Sequence, residues 1–239
     1  MSVGYGLVRT TQIQYGNYCT LQHCNNKRQA GHRYCPFHKY ILLYRGDAEQ
    51  LRINLRDINF ARKTVGLLVK ENQANPAWTD LMDVIKERWD SAQLHVNGEL
   101  QSYSNGKAMS KRYRNGLMIC YGIFNTLGLE KAFITYCAWQ YLQEFNPRLF
   151  ASDIAFRHQL VKSLRNQAHT FHSHDINKTT GKPRVYSSPL YMAERNTVWE
   201  IMSQIFGATG LHLYKQLEKR AERLRKQKDK YYESIRGIE

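Results

Sequence analysis

Four metal-ligand residues in a short stretch, Cys19-x4-Cys24-x10-Cys35-x2-His38, constrain this chain more than any other feature. Two close pairs separated by a loop can place soft or borderline ligands at the corners of a tetrahedron without a large apolar core. Gly31, between the pairs, suits a tight turn, and Tyr34, Phe37 and Tyr40 are available to pack around a metal. Four protein ligands leave no open coordination position, so the expected ion is a structural zinc. His23 and His32 are alternative ligands whose spacing completes the paired pattern less well. The other cysteines, Cys120 and Cys137, fall in apolar helical stretches and read as core. Five cysteines in all, an odd number, argue against a disulfide framework, and the reducing interior of a cell is the expected setting.

This spacing resembles the short Cys-x4-Cys…Cys-x2-His fingers of bacteriophage and mobile-element DNA-binding proteins. The resemblance covers about residues 18–40. It implies a metal and a nucleic-acid setting, and it implies nothing about chemistry.

Beyond the finger the pattern is helical. Leu51, Leu55, Ile58, Val65 and Val69 alternate at four- and three-residue steps from Asp47 onward, with Arg62 in the one missing position. Asn75-Pro76 starts a second helix with a stripe of Trp78, Leu81, Ile85, Trp89 and Ala92. Residues 117–127 and 129–145 form an apolar helical pair around Gly128, closed by Asn146-Pro147. Ser152 caps a helix to about Gln167, with Ile154, Leu160, Val161 and Leu164 apolar. Ser188-Pro189 opens another to about Phe206, and Gly207 and Gly210 precede a charged last helix. Hardly any stretch alternates with period two, so strands should be few and confined to the N-terminal unit. The expected fold is mainly α: a zinc-binding module over 1–45, a helical bundle over 46–213 and a basic helix over 214–239.

The formal charge of +15 points to a polyanionic partner. Four basic groups are candidates for phosphate contact: Lys27, Arg28 and Arg33 inside the finger; Lys107, Lys111, Arg112 and Arg114 around Tyr113; Lys178, Lys182 and Arg184; and the run from Lys215 to Lys230 in the last helix. The second and third groups read as irregular basic loops, Ser102–Gly116 and His169–Ser187, with few acids of their own. DNA is favoured over RNA. The last helix mixes its lysines and arginines with Glu218, Glu222, Asp229 and Glu233, and Leu217, Leu224 and Tyr231 recur every seven residues. That pattern suits a packing seam or a docking helix for a protein partner or a second copy.

No phosphate-binding glycine loop, dinucleotide fingerprint, HExxH helix or GxSxG elbow is present. His169, His172, His174 and Asp175 with Tyr186 and Tyr191 form the one cluster suited to a metal-dependent nuclease or nicking enzyme. A histidine-rich surface loop accounts for them more simply. The leading expectation is a zinc-containing nucleic-acid-binding accessory or regulatory protein of a phage or mobile element. A nuclease using His172, His174 and Tyr186 and an adaptor acting through the last helix are the alternatives.

Overall fold

The computed structural model describes residues 17–168, 172–176, 183–187 and 189–236. Among them the chain is mainly α-helical. The helices are α1 (Pro36–Arg45), α2 (Leu55–Asn72), α3 (Pro76–Ser104), α4 (Lys111–Gly122), α5 (Leu129–Phe145), α6 (Asp153–Gln167), α7 (Met192–Phe206) and α8 (Thr209–Arg236). A π-helical stretch, Ile123–Leu127, continues α4 up to Gly128.

Local sequence accounts for most helix starts. The Asn75 side chain accepts from the Ala77 N–H at 3.1 Å, with Pro76 at the first helical position. Ser110 and Ser152 cap α4 and α6 by accepting from Tyr113 N and Ala155 N, each at 3.2 Å. The bundle is built around α5, which is buried on nearly every side because Ala132, Phe133, Tyr136, Cys137, Trp139 and Leu142 leave it no polar face. It packs against α2, α6 and α8. Phe133 sits between the rings of Trp78 and Phe206, and Tyr136 lies against Phe206 and Trp199. Cys120 and Cys137 are fully buried, and burial pushes both thiols up. The apolar character of the α4–α5 pair, which is bent by 116°, is that of a core. No single helix among the described residues is long and apolar enough to cross a membrane.

Expectations about local structure need correction at four points. The first basic segment is largely helical: α3 runs to Ser104 and α4 begins at Lys111, which puts Lys111, Arg112, Tyr113 and Arg114 in the first turn of α4. The Ser110 cap overrides the broken apolar spacing there. The second segment holds an antiparallel hairpin, β1 (His172–Ile176) with β2 (Pro183–Ser187), so the strands are not confined to the N-terminal unit. Backbone pairing carries it without an alternating pattern. Finally, α7 starts at Met192 instead of Pro189, because Glu194 Oε2 accepts from the Tyr191 N–H at 3.1 Å and fixes the first turn there. Leu51 precedes α2 and is exposed, and the buried stripe of that helix is Ala61, Val65, Leu68 and Val69.

The finger is held to the bundle through α1 and α6. Gly46 ends α1 in the left-handed region (φ 89°), and its α-carbon faces His158 and Ala155 so closely that a Cβ would collide with them. Gln159 Nε2 and Lys162 Nζ donate to the Arg45 and Tyr44 carbonyls at 3.0 Å, satisfying the end of α1. Beneath this joint, burial, reinforced by Lys162 and Arg195, pushes the His158 imidazole down from 6.5 to about 4. The folded state keeps it neutral, so the unfolded chain takes up the proton first as pH falls. Stability from this site is present above pH 6.5 and lost as pH falls towards 4, on the order of 2–3 kcal/mol. His158→Gln is expected to flatten the fall in melting temperature between pH 7 and 4. An unchanged slope would assign the acid sensitivity elsewhere.

Candidate metal centre and basic surface

The finger begins as a short knuckle. Tyr18 and Lys27 form an antiparallel bridge, Cys19 N donates to Asn26 O at 2.9 Å, and Arg28 N donates to Asn17 O at 2.9 Å. This brings Cys19 and Cys24 to one side of the turn. Gly31 takes the left-handed conformation (φ 75°) required to reverse the chain before the second pair. Cys35 is the N-cap of α1 and Pro36 its first residue, so His38 stands one turn above Cys35 on the same face.

The four ligand atoms lie within 4.8 Å of one another, a cluster able to hold a metal ion. Cys24 Sγ and Cys35 Sγ are 3.8 Å apart, and His38 Nδ1 is 3.5 Å from Cys19 Sγ and 3.3 Å from Cys35 Sγ. A tetrahedral ion bound at ~2.3 Å from sulfur and ~2.0 Å from nitrogen sets edges of about 3.8 Å and 3.5 Å, so the donors fit such an ion. Burial alone pushes the Cys19 thiol up. Hydrogen bonds from the Leu21 and Cys35 backbone and from the His38 and Cys24 side chains outweigh it and hold the thiol at about 7. Its partner thiol on Cys24 is raised: the Asn26 backbone lowers it, but burial and the neighbouring Cys35 and Cys19 sulfurs prevail. The positive end of the α1 dipole, at Cys35, favours thiolate charge. His23 and His32 stay outside the cluster, and His32 Nε2 lies 2.9 Å from Lys39 Nζ. Phe37 stacks edge-on against the His38 ring at 5.1 Å, whereas Tyr40 packs on Tyr44.

Between Asn17 and Gly46 there is no acidic residue, against Lys27, Arg28, Arg33, Lys39 and Arg45. Lys27, Arg33 and Lys39 are exposed, and Arg28 Nη1 donates to the His32 carbonyl at 3.2 Å.

Most of the second basic group is engaged by other side chains. Lys107 Nζ is 2.9 Å from Glu99 Oε1 and holds that carboxyl below the usual carboxylate range. Arg112 Nη1 donates to the buried Glu194 at 3.0 Å while its guanidinium lies 3.3 Å over the Tyr191 ring. The Arg114 side chain reaches the Tyr103 hydroxyl, Tyr113 is half-buried, and Lys111 is exposed. In the third group Lys178 and Lys182 lie outside the described residues, as does His169, and Arg184 pairs with Asp175 in the hairpin register. Tyr186 pairs with Ser173, between His172 and His174, so these three positions do not stand opposite one another.

A cleft of about 560 Å³ that the sequence did not disclose opens where α1, the connector 46–54, α2 and α6 meet. Arg45, Arg52, Arg62 and Lys162 line it, with no carboxylate. These residues are up to 117 positions apart, and the one local signal was Arg62 interrupting the apolar stripe of α2. No protein-family model matches the chain, and neither does any curated protein or solved structure.

Proposed function

We propose that the chain is a nucleic-acid-binding protein, DNA favoured, whose finger is built on a zinc ion held by Cys19, Cys24, Cys35 and His38. The acid-free stretch from Asn17 to Gly46, folded around the metal cluster, carries this reading. Three thiolates and a divalent ion leave the centre with a single negative charge, and the five cations of that stretch exceed it. Lys27, Arg28 and Arg33 are the proposed phosphate contacts of the finger, with Lys111 and Arg184 as further candidates. The resemblance of the finger supports an accessory or regulatory role in a phage or mobile element.

Supporting zinc over a harder cation are three sulfur donors and tetrahedral edge lengths, since magnesium and calcium take oxygen ligands. The ion would fix the knuckle and the start of α1, and the residues around it would position phosphate-binding cations. A titration of labelled DNA at rising salt tests the function. Neutralising about five phosphates predicts an affinity falling on the order of 10²–10³-fold between 50 and 200 mM salt. Salt-independent affinity, or no retention of nucleic acid at low salt, would overturn the reading.

A further inference from the structure

The cleft between α1, the 46–54 connector, α2 and α6 has the chemistry of a ligand site. Its cations are held by neutral groups: Arg45 Nη1 donates to Gln50 O at 3.0 Å, Arg62 Nη2 to Ser163 Oγ at 2.8 Å, and Lys162 Nζ to Tyr44 O at 3.0 Å. Arg52 is exposed at the rim. No acid stands among the lining residues to balance four positive charges. Burial first, and then the neighbouring charges of Arg165 and Arg45, pushes the Lys162 amine down.

Unpartnered polar atoms gather at the same place. Among the described residues, four buried side-chain polar atoms lack a hydrogen-bond partner, and three of them, Arg62 Nε, Trp139 Nε1 and Asn166 Oδ1, belong to residues lining this cleft. Trp139 is 3% exposed, so its indole donor cannot turn to bulk solvent. Buried donors and acceptors of this kind call for a partner from outside the chain. On the α1 side, Tyr40 and Tyr44 lie with ring centroids 4.4 Å apart and planes tilted by 31°. Tyr40 is 56% exposed, leaving ring surface for a third planar group.

From this combination we infer that the cleft receives one phosphorylated nucleoside unit, its phosphate against Arg45, Arg52, Arg62 and Lys162 and its base against the Tyr40–Tyr44 pair. The volume falls within the ~300–1,000 Å³ of small-ligand pockets. The inference rests on the nucleic-acid reading above for its preferred source, an unpaired nucleotide of a bound strand. A free nucleotide offers the same groups. A paired base inside a duplex cannot stack on an external tyrosine without leaving its helix.

The test compares the full-length, zinc-loaded protein with Arg52→Glu and Tyr40→Ala, both at exposed positions, after confirming equal melting temperatures. Each is titrated with a single-stranded dT20, a 20-base-pair duplex and dTMP. Both variants are expected to lose tenfold or more in dT20 affinity with little change for the duplex. Saturable dTMP binding that both variants abolish, without an effect on dT20, assigns the site to a free nucleotide. Wild-type binding to dT20 that neither variant weakens, with no dTMP binding, overturns the inference while leaving the nucleic-acid function intact. If dTMP binds and no strand or duplex does, the nucleic-acid reading falls and the cleft stands.

Discussion

Replacing Cys35 with serine is expected to remove the metal ion, taking its content from about one per chain to about zero, and to unfold the knuckle that precedes α1. Between residues 17 and 40 only Cys19 and Cys35 are buried, so the finger has no apolar core to fall back on. Cys35 is fully buried, caps α1 and touches both Cys24 Sγ and His38 Nδ1. A serine hydroxyl stays protonated at neutral pH and is a poor ligand, and in small zinc modules the binding free energy is the folding free energy. Trypsin should then cut rapidly at Lys27, Arg28 or Arg33, while α2–α8 keep their helical signal. Elemental analysis and a timed digest check this. Unchanged metal content, or a finger that stays protease-resistant without metal, would contradict the assignment.

A second large effect is expected from Phe133→Ala. The ring is fully buried in α5, 5.8 Å from the Trp78 ring and 5.9 Å from that of Phe206. Truncation removes its transfer free energy and leaves a cavity that large, interlocked rings cannot collapse into. Costs of about 3–5 kcal/mol are typical, a fall in melting temperature on the order of 10 °C for a chain of this size. Urea unfolding measures it, and a loss below about 1 kcal/mol would mean that α5 is not the centre of the core. If a metal ion holds the finger as proposed, its protease resistance should survive this substitution under folding conditions.

The elements that were legible in the sequence are those specified within a few residues. Asn75-Pro76 and Ser152 cap their helices by contacts two or three positions away, and the paired spacing of Cys19, Cys24, Cys35 and His38 is itself the geometry of the cluster. What was hidden depends on distance along the chain. The acids that engage the basic residues near 107–114 are Glu99 in α3 and Glu194 in α7, the latter 82 positions from Arg112. The hairpin HSHDI/PRVYS has no alternating apolar pattern, so nothing in its composition distinguished it from a loop. Arg45, Arg52, Arg62 and Lys162 line one cleft because α6 packs across the end of α1 and Arg62 of α2 reaches Ser163 on α6, a juxtaposition that no local window contains.

The finger and the cleft share α1, with His38 in its first turn and Tyr40, Tyr44 and Arg45 lining the cleft further along it. One helix therefore links the metal-ligand cluster to both proposed contact surfaces. The most direct measurement is the salt titration run side by side on zinc-loaded wild type and Cys35→Ser with the same labelled DNA. A finger that organises the contact surface predicts steeply salt-dependent binding by the wild type and at least a tenfold loss in the variant, with a shallower slope as phosphate contacts disappear. Equal affinity and equal slope for the two proteins would contradict it.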